Sequence, residues 1–520
     1  MSYSQSSLRR RETAFSKKSQ AARKATKNGK VSFNADLLPV DLFCQLAYMS
    51  SLATSNLPRS LLFDYAARLP YNSSRYFLEV NFMAKRLNYD YSEACRMVGE
   101  KTKEAEPKAL LLRMSGALSS GETEAEFLQR EAMVLGEKYG EDYERRVESL
   151  KKWTDTYVAL ILSAALIVVI SVVSMLIFPQ SPTMSALLTW IMLISTGLGV
   201  WVMYRSSPKE TKTHKLENTS RLQTLAKSLF KFVALPASAV ILAIFFLTKL
   251  ELGLVAILLS LAIAPVGFLA YWNDKQIDKL DNEISAFIRS LGGITKAIGS
   301  TVTEALGRLD QNAMGALRPL VRNLNNTLKF GINPQLCWQK FIEDTGSEQV
   351  NRTVRIFWDG IACGGDPAKV GGFSSMFALK VSLLRNKRSM IASGFLYLCL
   401  AMHAVLALLL VGIYNILLGF SSAVAAMAPT AKDGMDALSQ LPTFAFFSQG
   451  STQLQTLNLM VTAMVLMLTA ANAVAIKVVE GGSNLKILFY LGITLMITGL
   501  CLTFVPNLVQ GIFSNLNFAS

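Results

Sequence analysis

Few places in this chain could do chemistry, and the two best are short turns. Ser119-Ser120-Gly121-Glu122-Thr123 and Cys363-Gly364-Gly365-Asp366-Pro367 each set a glycine and a carboxylate just before a helix-forming stretch. An aspartate at a helix N-cap followed by proline starts a helix well. The carboxylate accepts orphan amides, and proline suits the first helical position. Ser119 with Glu122, and Thr123 with Glu126, fit a reciprocal capping box. Capping alone accounts for both turns. The sharper expectation is that Gly121, Glu122, Gly365 and Asp366 also lie on a surface offered to a partner.

Catalytic patterns are missing. The chain has one Gly-Lys pair, Gly29-Lys30, and no GxxxxGK[ST], so a phosphate cradle is unsupported. Its two histidines, His214 and His403, are far apart, and neither HExxH nor GxSxG occurs. Cys44, Cys95, Cys337, Cys363, Cys399 and Cys501 form no CxxC and no metal-ligand spacing, which fits a reducing compartment. No metal or cofactor is expected. The reading is a binding scaffold, not an enzyme.

The elements that position these turns follow from the distribution of charge. The chain is 51% apolar, with a mean hydropathy of +0.33, and its ionisable residues leave long gaps. Thr156 to Tyr204, Phe232 to Thr248, Leu252 to Asn273, Ser389 to Ala431, Ala437 to Ile476 and Ile487 to Ser520 carry no charge. About 20 apolar residues cross a hydrocarbon core as a helix. Pro179 and Pro182 divide the first run. Seven spans are expected, near 155–178, 184–204, 231–249, 252–272, 390–419, 454–476 and 486–508. Continuous apolar runs lack the alternation of barrel strands. The fold class is therefore all-α, a polytopic membrane protein.

Net charge is +15, and residues 1–34 read as a basic disordered tail. One aromatic residue, Phe15, interleaves with the tail's cations, so attraction to anionic lipid is favoured over nucleic acid. No apolar run follows the tail, so it is not read as a secretory signal peptide. The 205–231 loop and Arg385, Lys387 and Arg388 are strongly basic, whereas 420–453 is nearly uncharged. The positive-inside rule then puts the N-terminus and two soluble segments in the cytoplasm and the C-terminus outside. The domains are 35–153, helical; 154–273, four spans; 274–388, helical; and 389–520, three spans. A stripe of Leu128, Ala132, Leu135, Tyr139, Tyr143, Val147 and Leu150 runs straight into the first span, so one helix should serve both. Tyr48, Leu52, Leu57 and Leu61, and Leu291, Ile294, Ile298 and Leu306, are read as core.

Leu87 to Thr102 sets beside Phe330 to Thr345 without a gap, and Gly116, Gly121 and Glu122 match Gly360, Gly365 and Asp366. Internal duplication is the economical reading. Within the spans, His403, Asn415 and Asn472 are polar exceptions, read mainly as interhelical hydrogen-bond formers. A proton or ion path is the alternative, which would make the chain a secondary transporter or channel. Phe444, Phe446 and Phe447 form an apolar outer stretch too short to span, either resting on the membrane or contacting another embedded subunit.

The Gly121 to Leu128 pattern, Gly-Glu-x-x-x-x-Phe-Leu, resembles the type II secretion F-domain family. The run from Ala471 to Gly482 (Ala-Asn-Ala-Val-Ala-Ile-Lys-Val-Val-Glu-Gly-Gly) is similar to archaellum platform proteins (FlaJ, or ArlJ) and related archaeal pilus platforms. The resemblance covers about residues 40 to 510. It departs from the bacterial pattern at Thr123 and at Asp366, which stands where the first copy has Glu. It implies a plasma-membrane platform that binds a hexameric secretion-type ATPase below and pilin or archaellin subunits in the bilayer, acting as a homodimer or small homo-oligomer. Under it, Gly121, Glu122, Gly365, Asp366, Arg385, Lys387 and Arg388 are candidates to face the ATPase. Phe444, Phe446, Phe447, Asn472 and Glu480 are candidates to face membrane partners.

Overall fold

The computed structural model describes residues 33–174, 182–214, 216, 219–248, 250–310, 314–427 and 450–515. Most of the basic tail, and Phe444, Phe446 and Phe447, lie outside them. Among the described residues the chain is helical throughout, with one isolated β-bridge, Thr213 to Ser347.

A first polar bundle is built from α1 (Leu38–Ala53), α2 (Arg59–Ala67), α3 (Ser74–Arg86), α4 (Tyr91–Lys101), α5 (Ala105–Ser120) and the start of α6 (Glu124–Ser174). Helix α1 starts with Pro39 in its first turn, where the missing amide costs no hydrogen bond. It is buried nearly all round, because it is wedged between the two bundles rather than lying on the surface of one. Asn56, with φ of +50°, breaks the chain after α1. Leu61 therefore falls on α2 out of phase with the α1 stripe and is exposed, against expectation. Tyr48 and Leu52 are core.

Helix α6 is continuous for 51 residues. Its expected stripe is buried apart from half-buried Tyr139. The next elements are α7 (Pro182–Ser206), α8 (Arg221–Leu229), a π-turn at Phe230–Ala234, α9 (Leu235–Thr248) and α10 (Leu252–Ile298). The polar end of α10 opens a second bundle with α11 (Val302–Arg308), α12 (Arg318–Lys329), α13 (Pro334–Thr345), α14 (Glu348–Ala362) and the start of α15 (Pro367–Met427). Corresponding helices start in register: Tyr91 and Pro334, Ala105 and Glu348, and Glu124 and Pro367 are each 243 residues apart. The chain ends in α16 (Gly450–Glu480) and α17 (Ile487–Asn515).

Six helices among the described residues are long and apolar enough to cross a membrane: α6, α8 with α9, α10, α15, α16 and α17. The other expected span, 184–204, falls on α7, which is helical but is not one of these six. Apolar side chains of α6, α7, α15, α16 and α17 share one core. Helix α10 joins it through glycines. A Cβ on Gly267 would sit 2.3 Å from the Phe489 amide nitrogen, and one on Gly253 would sit 2.6 Å from Thr503. Small residues of this kind let membrane helices approach backbone to backbone.

Candidate functional site at the junction of bundles and spans

Where the apolar part of α15 begins, two arginines one turn apart point inward. Arg385 Nε donates to Glu210 Oε2 at 2.6 Å, and its Nη1 donates to Asp281 Oδ2 on α10 at 2.7 Å and to Gln349 Oε1 on α14 at 3.0 Å. Arg388 Nη1 donates to Glu210 Oε1 at 2.9 Å, and Tyr143 on α6 donates to the same oxygen at 2.7 Å. Arg388 also donates to the carbonyls of Val479, Val478 and Pro208 at 2.9, 3.0 and 2.9 Å, and to Ser207 Oγ at 2.8 Å. Glu210, from the α7–α8 connection, thus joins α6 to both arginines of α15, and those arginines reach α10, α14 and α16.

Burial raises the pKa of Glu210, but Arg385, Arg388 and the Tyr143 hydroxyl overcome it and hold the carboxyl at about 2. Asp281, beyond the apolar stretch 252–272, shares Arg385 but goes the other way. Burial outweighs the guanidinium and the Ser347 hydroxyl and raises it to about 6. The difference has a physical cause: Glu210 has two guanidiniums, Asp281 only one. Burial lowers the Arg385 pKa, but Glu210 and Asp281 outweigh it and raise it above its ordinary value, so this guanidinium stays charged.

The Glu480-Gly481-Gly482 run forms the seat for this knot. Gly481 and Gly482 have φ of +78° and +83°, backbone that glycine adopts without cost. A Cβ on Gly481 would lie 2.9 Å from the Arg388 guanidinium, and one on Gly482 would lie 2.1 Å from Asp274 Oδ2. Asp274 accepts from the Ser483 amide at 2.9 Å. Glu480 pairs with Lys486 at 2.6 Å.

The bundles are joined to each other by a second set of buried polar contacts. Arg352 on α14 reaches Asp41 on α1 at 2.7 Å and Glu348 at 2.9 Å, and stacks 4.6 Å above the Tyr71 ring. Tyr48 donates to Asp359 at 3.0 Å, and Ser51 donates to the Ile356 carbonyl at 2.9 Å. Glycines bring the chains this close. A Cβ on Gly360 would lie 2.1 Å from Ser51 Oγ, and one on Gly365 would lie 2.6 Å from Thr54 Oγ1.

The two turns singled out from the sequence therefore differ. Gly121 is exposed, at φ of +78°, with nothing within 4 Å of an added Cβ. Glu122 pairs with Arg130 at 2.7 Å, and Thr123 caps the Glu126 amide at 3.4 Å. Ser119 does not cap; its hydroxyl donates back to the Gly116 carbonyl. Gly365 is buried against the first bundle, while Asp366 caps the Ala368 and Lys369 amides and pairs with Lys296 at 2.6 Å. The Lys296 hydrogen bond, more than those amides, holds the Asp366 carboxyl below its ordinary range.

The other candidate residues are engaged within the chain. Arg385 and Arg388 are bound internally, with the oppositely charged Glu210 between them. Lys387, on the other side of α15, is partly exposed and pairs with Glu144 at 2.9 Å. Half-buried Glu480 turns to Lys486, and Asn472 is wholly buried. Asn472 accepts from Tyr157 at 2.9 Å and contacts His403 Nδ1 at 3.2 Å, while His403 Nε2 faces the Thr494 carbonyl at 3.2 Å. A carbonyl can only accept, so Nε2 carries the proton and Nδ1 accepts from Asn472. Asn472 and His403 thus bond between helices, while Asn415 bonds the Val411 carbonyl of its own helix.

Sequence reasoning missed Glu210, Asp281 and Arg352 as organising residues, because their partners lie far away along the chain. It also missed two apolar tips. Leu87 and Tyr89 stand exposed between α3 and α4, and Phe330 and Ile332 stand exposed at the corresponding turn between α12 and α13.

Fold and site together define a multi-pass helical membrane protein whose polar bundles are continuous with its membrane-crossing helices. Over 351 residues, 65% of its length, the chain is 23% identical to Flagella accessory protein J of Methanococcus voltae, covering 62% of that protein. It is 26% identical over 310 residues, 57% of its length, to the protein of the same name in Methanocaldococcus jannaschii, covering 55% of it. The chain thus spans less than two thirds of the relatives it matches. Both support the FlaJ-like resemblance carried by the Ala471 to Gly482 run. No family model and no solved structure matches.

Proposed function

We propose that the chain is the membrane platform of an archaeal filament-assembly machine, of archaellum or type IV pilus kind. It couples a cytoplasmic secretion-type ATPase to insertion of pilin or archaellin subunits, with seven spans and two F-domain-like bundles that arose by duplication. On this reading both bundles and the N-terminus are cytoplasmic, the C-terminus is outside, and the chain works as a small homo-oligomer. The observation that carries the proposal is mechanical. Helices α6, α10 and α15 pass unbroken from the bundles into apolar stretches; Glu210 joins α6 to α15, and Arg385 joins α15 to Asp281 on α10. A push on a bundle would therefore reach the spans as a rigid displacement and not be absorbed by a hinge. Gly121, Glu122 and the tips at Leu87, Tyr89, Phe330 and Ile332 are the proposed ATPase contacts.

The test is co-purification of the tagged full chain with a secretion-type ATPase from the same cells, together with a count of surface filaments by electron microscopy. Leu87→Ser with Phe330→Ser should abolish ATPase capture and filaments while leaving the chain in the membrane. Undiminished capture by that variant would remove the proposed contacts. Filaments in a strain lacking the chain would remove the function.

A further inference from the structure

A cavity of about 770 Å³ opens where α10 leaves its apolar stretch, between the first turn of α8 and the second bundle. Trp272 closes that stretch and is half exposed at the cavity wall, as indole rings are at membrane–water boundaries. Leu222 and Leu320 give the cavity an apolar side. Arg221, Lys275, Lys279 and Lys340 bring four cations to it, against one lining carboxylate, Asp344.

The neighbouring carboxylates are committed elsewhere. Asp344 pairs with Lys340 at 2.8 Å, and Asp278 pairs with Lys212 at 2.7 Å. Glu283 accepts from the Ala316 and Leu317 amides at 2.9 Å. Among the described residues no carboxylate besides Asp344 lines the hollow that Arg221, Lys275 and Lys279 border, and Lys275 also lies 5.2 Å from the Tyr271 ring. Asn323 and Thr219 on its wall add hydrogen-bonding groups.

We propose that this cavity binds the phosphate headgroup of an anionic phospholipid, with a hydrocarbon chain rising past Trp272. A basic pocket beside membrane helices meets a headgroup at that depth, whereas a fully soluble ligand would have no use for the apolar side. The site depends on the helices crossing a bilayer but not on ATPase coupling, so failure of either leaves the other standing.

The test uses the full chain in nanodiscs of mixed phosphatidylglycerol and phosphatidylcholine, with retained lipid counted by native mass spectrometry. The wild-type chain should keep phosphatidylglycerol and release phosphatidylcholine. Each cation near an anionic headgroup is worth roughly five-fold in binding, so combined Arg221→Gln, Lys275→Gln and Lys279→Gln should weaken retention about a hundred-fold. Arg221→Lys, Lys275→Arg and Lys279→Arg together should preserve it. Equal retention of both lipids by the wild-type chain, a reading that needs no variant, overturns the proposal. So does undiminished retention by the neutralised chain. Displacement of the lipid by millimolar inorganic phosphate would identify a soluble anion as the occupant and overturn the lipid assignment.

Discussion

Replacing Arg388 by methionine keeps most of the side-chain volume and removes every donor the knot receives from it. The carbonyls of Pro208, Val478 and Val479 and the Ser207 hydroxyl each lose a charged partner. Glu210 does not become an orphan, because Arg385 still holds it at 2.6 Å. Truncating one member of a buried pair costs about 3–5 kcal/mol, and each acceptor left dry costs about 1–3 kcal/mol. With Arg385 in place the loss belongs at the low end, about 3–4 kcal/mol. Lys387→Met, one residue away in a partly exposed pair with Glu144, should cost less than about 1 kcal/mol. Denaturant unfolding of the purified full chain, followed by tryptophan fluorescence, compares the two. Hydrogen exchange adds the location: amides 476–482 and 207–212 should lose protection in Arg388→Met and keep it in Lys387→Met. Adding Glu210→Gln to Arg388→Met should cost less than the sum of the singles by about 1–2 kcal/mol. Equal losses for Arg388→Met and Lys387→Met, or strict additivity with Glu210→Gln, would refute the knot.

Acidification should act on the same residues in two directions. Glu210 sits at about 2, below its ordinary value, so its stabilisation is complete above about pH 4.5 and is lost as pH falls toward 2. Asp281 sits at about 6, above its ordinary value, so the folded chain holds its proton more tightly and stability falls as pH rises from about 4 through 6. The unfolding midpoint should therefore rise between pH 6 and 4, and Asp281→Asn should flatten that limb. Gly360→Ala should destabilise by about 1–3 kcal/mol through overpacking against Ser51 and Val370. Gly116→Ala, at the matching position with open space around it, should be neutral or stabilise by up to about 1 kcal/mol in the same assay. Asn472→Ala, which takes the acceptor from Tyr157 and the donor from His403, should cost about 0.6–1.7 kcal/mol in a detergent unfolding series.

What the sequence made legible was whatever a local pattern encodes. The stripe from Leu128 to Leu150 announced that one helix would run from bundle to span, and it does. Proline and glycine marked helix ends, as at Pro367 and Gly121. The charge gaps gave the apolar helices. What stayed hidden depends on distant pairing. Arg385 and Arg388 read as an exposed basic cluster because Glu210 lies 175 residues from the first of them. Glu480 and Asn472 read as candidate membrane contacts through the Ala471 to Gly482 motif, whose two glycines form a seat for Arg388 and Asp274 that no local pattern announces.

The two glycine-carboxylate turns show how near-identical local sequence can take different roles. Each ends a helix and opens the next. But α1, a helix of the first bundle, lies against the α14–α15 turn of the second, and that contact consumes Gly360 and Gly365 while Gly116 and Gly121 stay open. If the bundles arose by duplication, one copy has become an internal buttress and the other has kept its turn free. A partner pressing from the polar side can then engage Gly121 and Glu122 but not Gly365. The pressure would pass through α1 and Arg352 into the second bundle, and from there through Asp281 and Arg385 into the spans. On that route the buried arginines matter for transmission as much as for stability. Arg352→Met should therefore reduce filament assembly even under conditions where the chain remains folded and still captures the ATPase. A variant that folds, captures the ATPase and assembles filaments at the wild-type rate would show that force does not travel by this path.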